Sequence, residues 1–132
     1  LDVDEFLMRA ARDLFALDRR IRWVAFEEPG RPSRWVSRDP VGGTLWIKTG
    51  SRGNELLDPM ILVLAEEREA DSGHGNISHP LRFLILAYDD LVQVAARCGV
   101  VSFISAGIDP AADACALANE LASLAATYGR AG

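Results

Sequence analysis

The sequence predicts an α+β domain in the order helix, two strands, helix, three strands, helix. Apolar residues recur at three- and four-residue spacing near both ends of the chain, which is typical of amphipathic helices. Between the ends lie short β-branched and aromatic runs, and the links joining several of them are too short for a crossover. We therefore expect an antiparallel sheet of about five strands with helices on both faces.

The first helix is predicted from one apolar stripe near the start of the chain. Its members are Val3, Phe6, Leu7, Ala10, Ala11, Leu14 and Leu17. Asp2 and Glu5 have the spacing of a capping box, and acidic residues at a helix start also suit the helix dipole. The polar residues 18–20 end this helix.

A β-hairpin is predicted next. Residues 21–26 are aromatic and β-branched, residues 28–33 hold two prolines and a glycine, and residues 34–38 alternate. Because prolines and arginines surround the second strand, we expect it to be an exposed outer strand. The glycine-rich stretch that follows leaves open whether Thr44–Lys48 forms a further strand.

A second helix is predicted to begin at Asp58, with a proline at its first helical position, and to run to about Asp71. Its start, Met60–Ala65, is apolar on every side. Such a helix has to be covered on two sides, so we expect a sheet on one side and a partner on the other.

Three strands at residues 81–87, 91–96 and 100–105 complete the sheet. They are apolar at nearly every position, which predicts that both faces of the sheet are covered. The last helix is expected to open at Asp109-Pro110 and to end at Gly129. Its apolar stripe consists of Ala114, Leu117, Ala118, Leu121, Leu124 and Ala125.

The organisation of the chain is simple. Its 132 residues contain no repeat and no domain boundary, so residues 1–132 are expected to form one domain. No apolar run approaches the roughly 20 residues of a membrane helix, and the acidic start differs from a signal peptide. Cys98 and Cys115 lie in apolar surroundings, so both are expected to be buried thiols. These observations favour a cytoplasmic protein without membrane insertion.

Charge is unevenly distributed along the chain. Residues 1–53 carry ten basic and eight acidic side chains, whereas residues 54–132 carry four basic and eleven acidic ones. The net charge of −5 argues against general nucleic-acid binding.

The motifs of catalysis are absent from the sequence. We find no Gly-rich phosphate loop, no His-Glu-x-x-His and no paired Cys-x-x-Cys. We therefore expect no catalytic residues, no metal and no cofactor.

Trp23 and Trp35, together with Arg34, have the composition of an interface, although buried tryptophans covered by arginine stems fit equally well. Of the tryptophans, Trp35 is expected to be the most exposed.

Residues 81–126 resemble the Roadblock family of dynein light chain relatives. The resemblance rests on the hairpin Leu81–Ala87 and Leu91–Ala96, the strand Val100–Ala106 and the Ala-Leu helix after Asp109. It implies a profilin-like arrangement in which the first and last helices lie on one face of the sheet and the middle helix on the other. It also implies a regulatory or scaffold protein without an active site.

The resemblance further implies partners. Roadblock proteins form homodimers through the middle helix and the neighbouring strand, and many bind Ras-like GTPases. The corresponding interface residues here are Met60, Ile61, Val63, Leu64, Leu81, Phe83 and Ile85. If Thr44–Lys48 is a strand, however, the order becomes helix, three strands, helix, which is more similar to a secretion chaperone. That alternative expects an exposed apolar groove for a client protein near Trp23, Trp35 and Trp46.

Overall fold

Two helices and six strands build the structure, a computed structural model that describes residues 2–28, 30–38, 44–50, 81–99 and 102–131. The elements are α1 (Val3–Leu17), β1 (Ile21–Glu27), β2 (Ser33–Ser37), β3 (Lys48–Gly50), β4 (Leu84–Ala87), β5 (Val92–Cys98), β6 (Ser102–Ile108) and α2 (Ala114–Ala131). These strands pair antiparallel in the order β3-β2-β1-β6-β5-β4, so β3 and β4 are the outer strands of the described sheet.

The predicted α+β fold class is confirmed, with six strands where about five were expected. The additional strand is β3, which shares only Lys48 with the stretch Thr44–Lys48 considered in the sequence. Residues 44–47 lead into β3 without being part of it. Leu45 and Ile47 nevertheless pack against the main core, so this segment is tied to the rest of the domain.

Both helices pack on the same face of the sheet. Asp2 caps α1 by accepting a hydrogen bond from the Asp4 amide at 3.0 Å. The ring of Tyr128, on α2, lies 4.9 Å from the ring of Phe6 on α1 and 5.4 Å from that of Phe26 on β1. These aromatic contacts fasten the two helices and the central strands into one core.

The second face of the sheet is also buried, as the apolar strands predicted. Its buried side chains are Trp23, Ala25, Glu27, Trp35, Gln93, Ala95, Phe103 and Ser105. The middle helix expected on this face, Asp58–Asp71, lies outside the described residues.

The start of α2 differs from the prediction. Asp109 does not open the helix, because its carboxylate accepts a hydrogen bond from the Ala111 amide and shapes a turn. Asp113 is the residue that caps the helix, accepting from the Ala116 amide at 3.1 Å. At its other end α2 continues past Gly129 to Ala131.

The two cysteines lie in different surroundings. Cys98 is buried in the core, and burial raises the pKa of its thiol to about 12, against a smaller opposing effect of a backbone hydrogen bond at Ile104. The expectation that Cys115 is buried was wrong, because this residue lies on the outward side of the first turn of α2.

No helix in the described part of the chain combines the length and apolarity that a membrane crossing requires.

Candidate functional site

Strand β4 forms one edge of the described sheet. Its four residues, Leu84–Ala87, pair only with β5 within that sheet. Proteins commonly protect such edges with proline or with lysine and other charged side chains. Here the strand is Leu-Ile-Leu-Ala and contains no such residue. An apolar strand whose outer edge has no partner strand among the described residues is suited to pairing with another chain.

The hairpin between β4 and β5 determines which backbone groups reach the open edge. The Tyr88 amide donates to the Leu91 carbonyl at 2.8 Å, which makes these two residues a hydrogen-bonded pair. Such pairs alternate along an antiparallel ladder. The backbone groups of Leu84 and Leu86 therefore point to β5, whereas those of Ile85 and Ala87 point away from the sheet.

The side chains of β4 are apolar on both faces. Leu84 and Leu86 are half-buried and pack with Ala95 and Phe103 on the second face. Ile85 lies opposite Val94 on the helix-covered face and is 36% exposed. A strand added at this edge would therefore meet apolar side chains on both of its own faces.

Three residues predicted for a dimer interface belong to this edge region. Leu81 packs with the second-face cluster, Phe83 packs against the core beneath the helices, and Ile85 is exposed on β4. The other four, Met60, Ile61, Val63 and Leu64, lie outside the described residues.

The exposure of the tryptophans differs from the prediction for Trp35. Trp23 and Trp35 are only 4% and 6% exposed and form a cluster with Ala25, whereas Trp46 is 62% exposed. Trp35 was expected to be the most exposed because β2 was taken for an outer strand. Since β3 pairs with β2, β2 is an inner strand of the described sheet, and the Trp35 side chain is buried on the second face. Arg34, which was predicted to form an interface surface with Trp23 and Trp35, forms an ion pair with Asp4 of α1 at 3.0 Å.

Glu27 is a buried acid at the end of β1. The Ser33 hydroxyl donates to its Oε2, while Oε1 has no hydrogen-bond partner within the described residues. Burial raises the pKa of the Glu27 carboxyl from its ordinary value of 4.5, and the Ser33 hydrogen bond acts in the opposite direction. The folded protein therefore holds this proton more tightly than the unfolded chain does.

Glu27→Gln is expected to stabilise the protein at neutral pH. Because the folded-state pKa is raised, the contribution of Glu27 to stability is full below the unfolded pKa near 4.5 and is lost as pH rises through the folded pKa. The difference in unfolding free energy between variant and native protein should therefore grow between pH 4 and pH 8 in urea titrations. Glu120→Gln, on the exposed side of α2, is the control. A pH-independent difference for Glu27→Gln would contradict this explanation.

Metal-binding or acid–base sites are the other candidates among the described residues. Among them, no three His, Cys, Asp or Glu side chains lie close enough together to hold a metal ion. Asp89 and Asp90 form the exposed turn between β4 and β5. The apolar edge of β4 is thus the feature with the clearest functional meaning.

Comparison with known proteins supports the fold. No family model and no curated protein matches the sequence. The crystal structure of a Roadblock/LC7 domain from Streptomyces avermitilis matches with a TM-score of 0.53 and 13% sequence identity, over 98% of this chain and 97% of that one. At this identity the similarity shows the fold. The Roadblock-like fold expected from the sequence is confirmed.

Proposed function

We propose that this protein is a non-catalytic scaffold that forms a homodimer through β4 and binds a protein partner, with a small Ras-like GTPase as the candidate. The observation that carries the proposal is the apolar, half-exposed edge of β4. The Roadblock-like fold supports it, since the resemblance implies dimerisation at this strand. The secretion-chaperone alternative, which expects an exposed apolar groove near Trp23, Trp35 and Trp46, loses part of its support, because Trp23 and Trp35 are buried and Trp46 alone of the three is exposed.

The geometry of β4 favours one register for the dimer. In a two-fold antiparallel pair, residues with outward-pointing backbone groups must face one another. Pairing centred on Ile85 satisfies this condition, since its amide and carbonyl bond to those of Ile85 in the second copy. The same register places Leu84 opposite Leu86 of the second copy. Large apolar side chains then meet across the two-fold axis on both faces.

Ile85→Lys is expected to convert the dimer into a monomer. The change removes two half-exposed apolar side chains and places two like charges opposite each other, at a cost of about 2 kcal/mol or roughly thirtyfold in dissociation constant. Light scattering over a concentration series should show a mass of about twice 14.4 kDa for the native protein and a shift towards one chain for the variant. Because Ile85 is partly exposed, the fold itself should tolerate lysine.

The matched control is Leu17→Lys, which makes the same type of change at a 54% exposed position on α1. This variant should remain dimeric. A second variant, Ala87→Pro, removes an outward-pointing amide without removing a bond to β5, so it should also weaken the dimer. A native protein that is monomeric at all concentrations would refute self-association.

The GTPase partner requires a separate measurement. Purified Ras-like GTPases loaded with GDP or a GTP analogue are titrated with the native dimer and with Ile85→Lys. The proposal expects binding that depends on the nucleotide and weakens in the monomeric variant. If none of the GTPases binds with either nucleotide, the GTPase part of the proposal is wrong, whereas dimerisation through β4 is not contradicted.

A further inference from the structure

The opposite edge of the sheet, β3, has a different character. β3 pairs only with β2 in the described sheet, so its other side is an edge. The Arg38 amide donates to the Arg22 carbonyl at 2.9 Å, which directs the backbone groups of the even-numbered β2 residues to β1. The backbone groups of Ser33 and Trp35 therefore point to β3, where Ser33 pairs with Gly50 and Trp35 pairs with Lys48. The amide and carbonyl of Thr49 are left pointing outward.

An exposed tryptophan lies directly before this edge. Trp46 is 62% exposed, although its neighbours Leu45 and Ile47 both pack against the core. The flanking contacts hold the segment in place, so that the exposed indole is presented on a fixed support. Tryptophan in such a position is a frequent energetic centre of protein interfaces, because it offers a large contact area with little rotamer entropy to lose.

The charges beside β3 are mainly basic. Lys48 is half-buried on β3, and Arg31 is exposed in the turn that leads into β2, near the Gly50 end of the strand. Two nearby acids are already engaged, since Asp4 binds Arg34 and Glu27 is buried against Ser33. Glu28, half-buried at the start of the turn, is the remaining acidic residue among the described ones between β1 and β3. The edge therefore attracts negative charge.

We infer that the β3 edge binds an extended acidic peptide of a partner protein by strand addition. The outward-pointing backbone groups of Thr49 bond to the peptide main chain, Trp46 contacts an apolar side chain, and Lys48 and Arg31 attract its carboxylates. Pairing of two β3 edges is disfavoured, since it would bring the basic residues of both copies together. The two outer strands thus serve different partners: β4 another copy of this chain, and β3 an acidic segment.

The test uses a fluorescent peptide of about eight residues, a typical strand length plus its ends, that alternates valine and glutamate. Fluorescence anisotropy should show saturable binding that weakens with salt, and a peptide with lysine in place of glutamate should bind at least about tenfold more weakly. Trp46→Ala should also weaken binding by about tenfold or more. Circular dichroism of each variant checks that the fold is retained.

The sharpest variant is Thr49→Pro, because it removes the outward-pointing amide without removing a bond to β2. It should abolish binding, whereas the control Thr49→Val, which keeps the amide, should bind as the native protein does. Ile85→Lys should leave peptide binding intact, so failure of this inference and failure of the β4 dimer are distinguishable. The inference is overturned if the acidic peptide does not bind, if the lysine peptide binds equally well, or if folded Thr49→Pro still binds. A loss of self-association in Thr49→Pro would instead identify β3 as a contact between copies.

Discussion

Gly107→Ala is expected to lower the free energy of unfolding by about 2–4 kcal/mol, a large effect for the addition of one methyl group. Gly107 lies opposite Trp23 in the β1–β6 pair, and the indole crosses directly over it. A Cβ atom at Gly107 would lie 2.2 Å from Nε1 and 2.3 Å from Cε2 of Trp23. Since the indole is rigid and almost fully buried, it must move as a whole or the two strands must separate.

Urea unfolding should measure this cost, and a double-mutant cycle should identify its cause. Trp23→Ala alone should destabilise the protein, because it empties space on the buried second face. In that background the added methyl group at Gly107 has room, so its cost should fall to a small fraction of the value in the native protein. An equal cost in both backgrounds would show that contact with Trp23 is not the reason.

Periodicity in the sequence predicted the two helices that the structure describes and the central strands well. Phe6 and Leu14 lie on the buried side of α1, as their spacing indicates, because one helix face packs on one sheet face. The antiparallel pairing of β4 with β5 likewise followed from a link too short for any other connection. These features depend on local sequence, so they could be predicted before any tertiary contact was known.

Strand β3 could not be predicted with the same certainty. It has three residues, follows a glycine-rich stretch and ends at Gly50, whose φ of 127° is a conformation that favours glycine. Its pairing with β2 depends on tertiary contacts that no local pattern encodes. The prolines and arginines around β2 predicted an outer strand with an exposed Trp35, whereas β3 pairs with β2 and the exposed tryptophan is Trp46.

The two faces of the apolar strand β4 could not be distinguished in the sequence. Residues 81–87 are apolar at nearly every position, and such a run carries no alternation from which its two faces could be distinguished. The structure separates them: Leu84 and Leu86 pack on the second face, while Ile85 is exposed on the other. Which backbone groups reach the edge depends on the hydrogen bond between Tyr88 and Leu91, a detail of the turn.

Arg38 is expected to be the most important charged residue for stability among those described. It follows β2 and reaches across to the end of α1, whose last turn contains no basic residue. Its guanidinium donates to the carbonyls of Phe15 at 2.9 Å, Asp18 at 2.7 Å and Ile21 at 2.8 Å. It also stacks over the Phe15 ring at 4.6 Å. One side chain thus binds a carbonyl in the last turn of α1, the carbonyl of the C-cap residue Asp18 and the first carbonyl of β1, and its charge offsets the helix dipole.

Arg38→Ala should lower the free energy of unfolding by about 2–4 kcal/mol, because it removes three hydrogen bonds from a charged donor to backbone carbonyls, of which the Asp18 carbonyl keeps a second donor, the Ile21 amide at 3.3 Å. Arg38→Lys should recover less than half of that loss, since an ammonium keeps the charge but cannot reproduce the planar fork of donors. The control is Arg22→Ala, which breaks an exposed ion pair with Asp109 at 3.6 Å and should cost at most about 0.5 kcal/mol. Urea titrations of the three variants measure these differences. If Arg38→Lys were as stable as the native protein, charge near the helix end would be sufficient, and the three directed hydrogen bonds would contribute little.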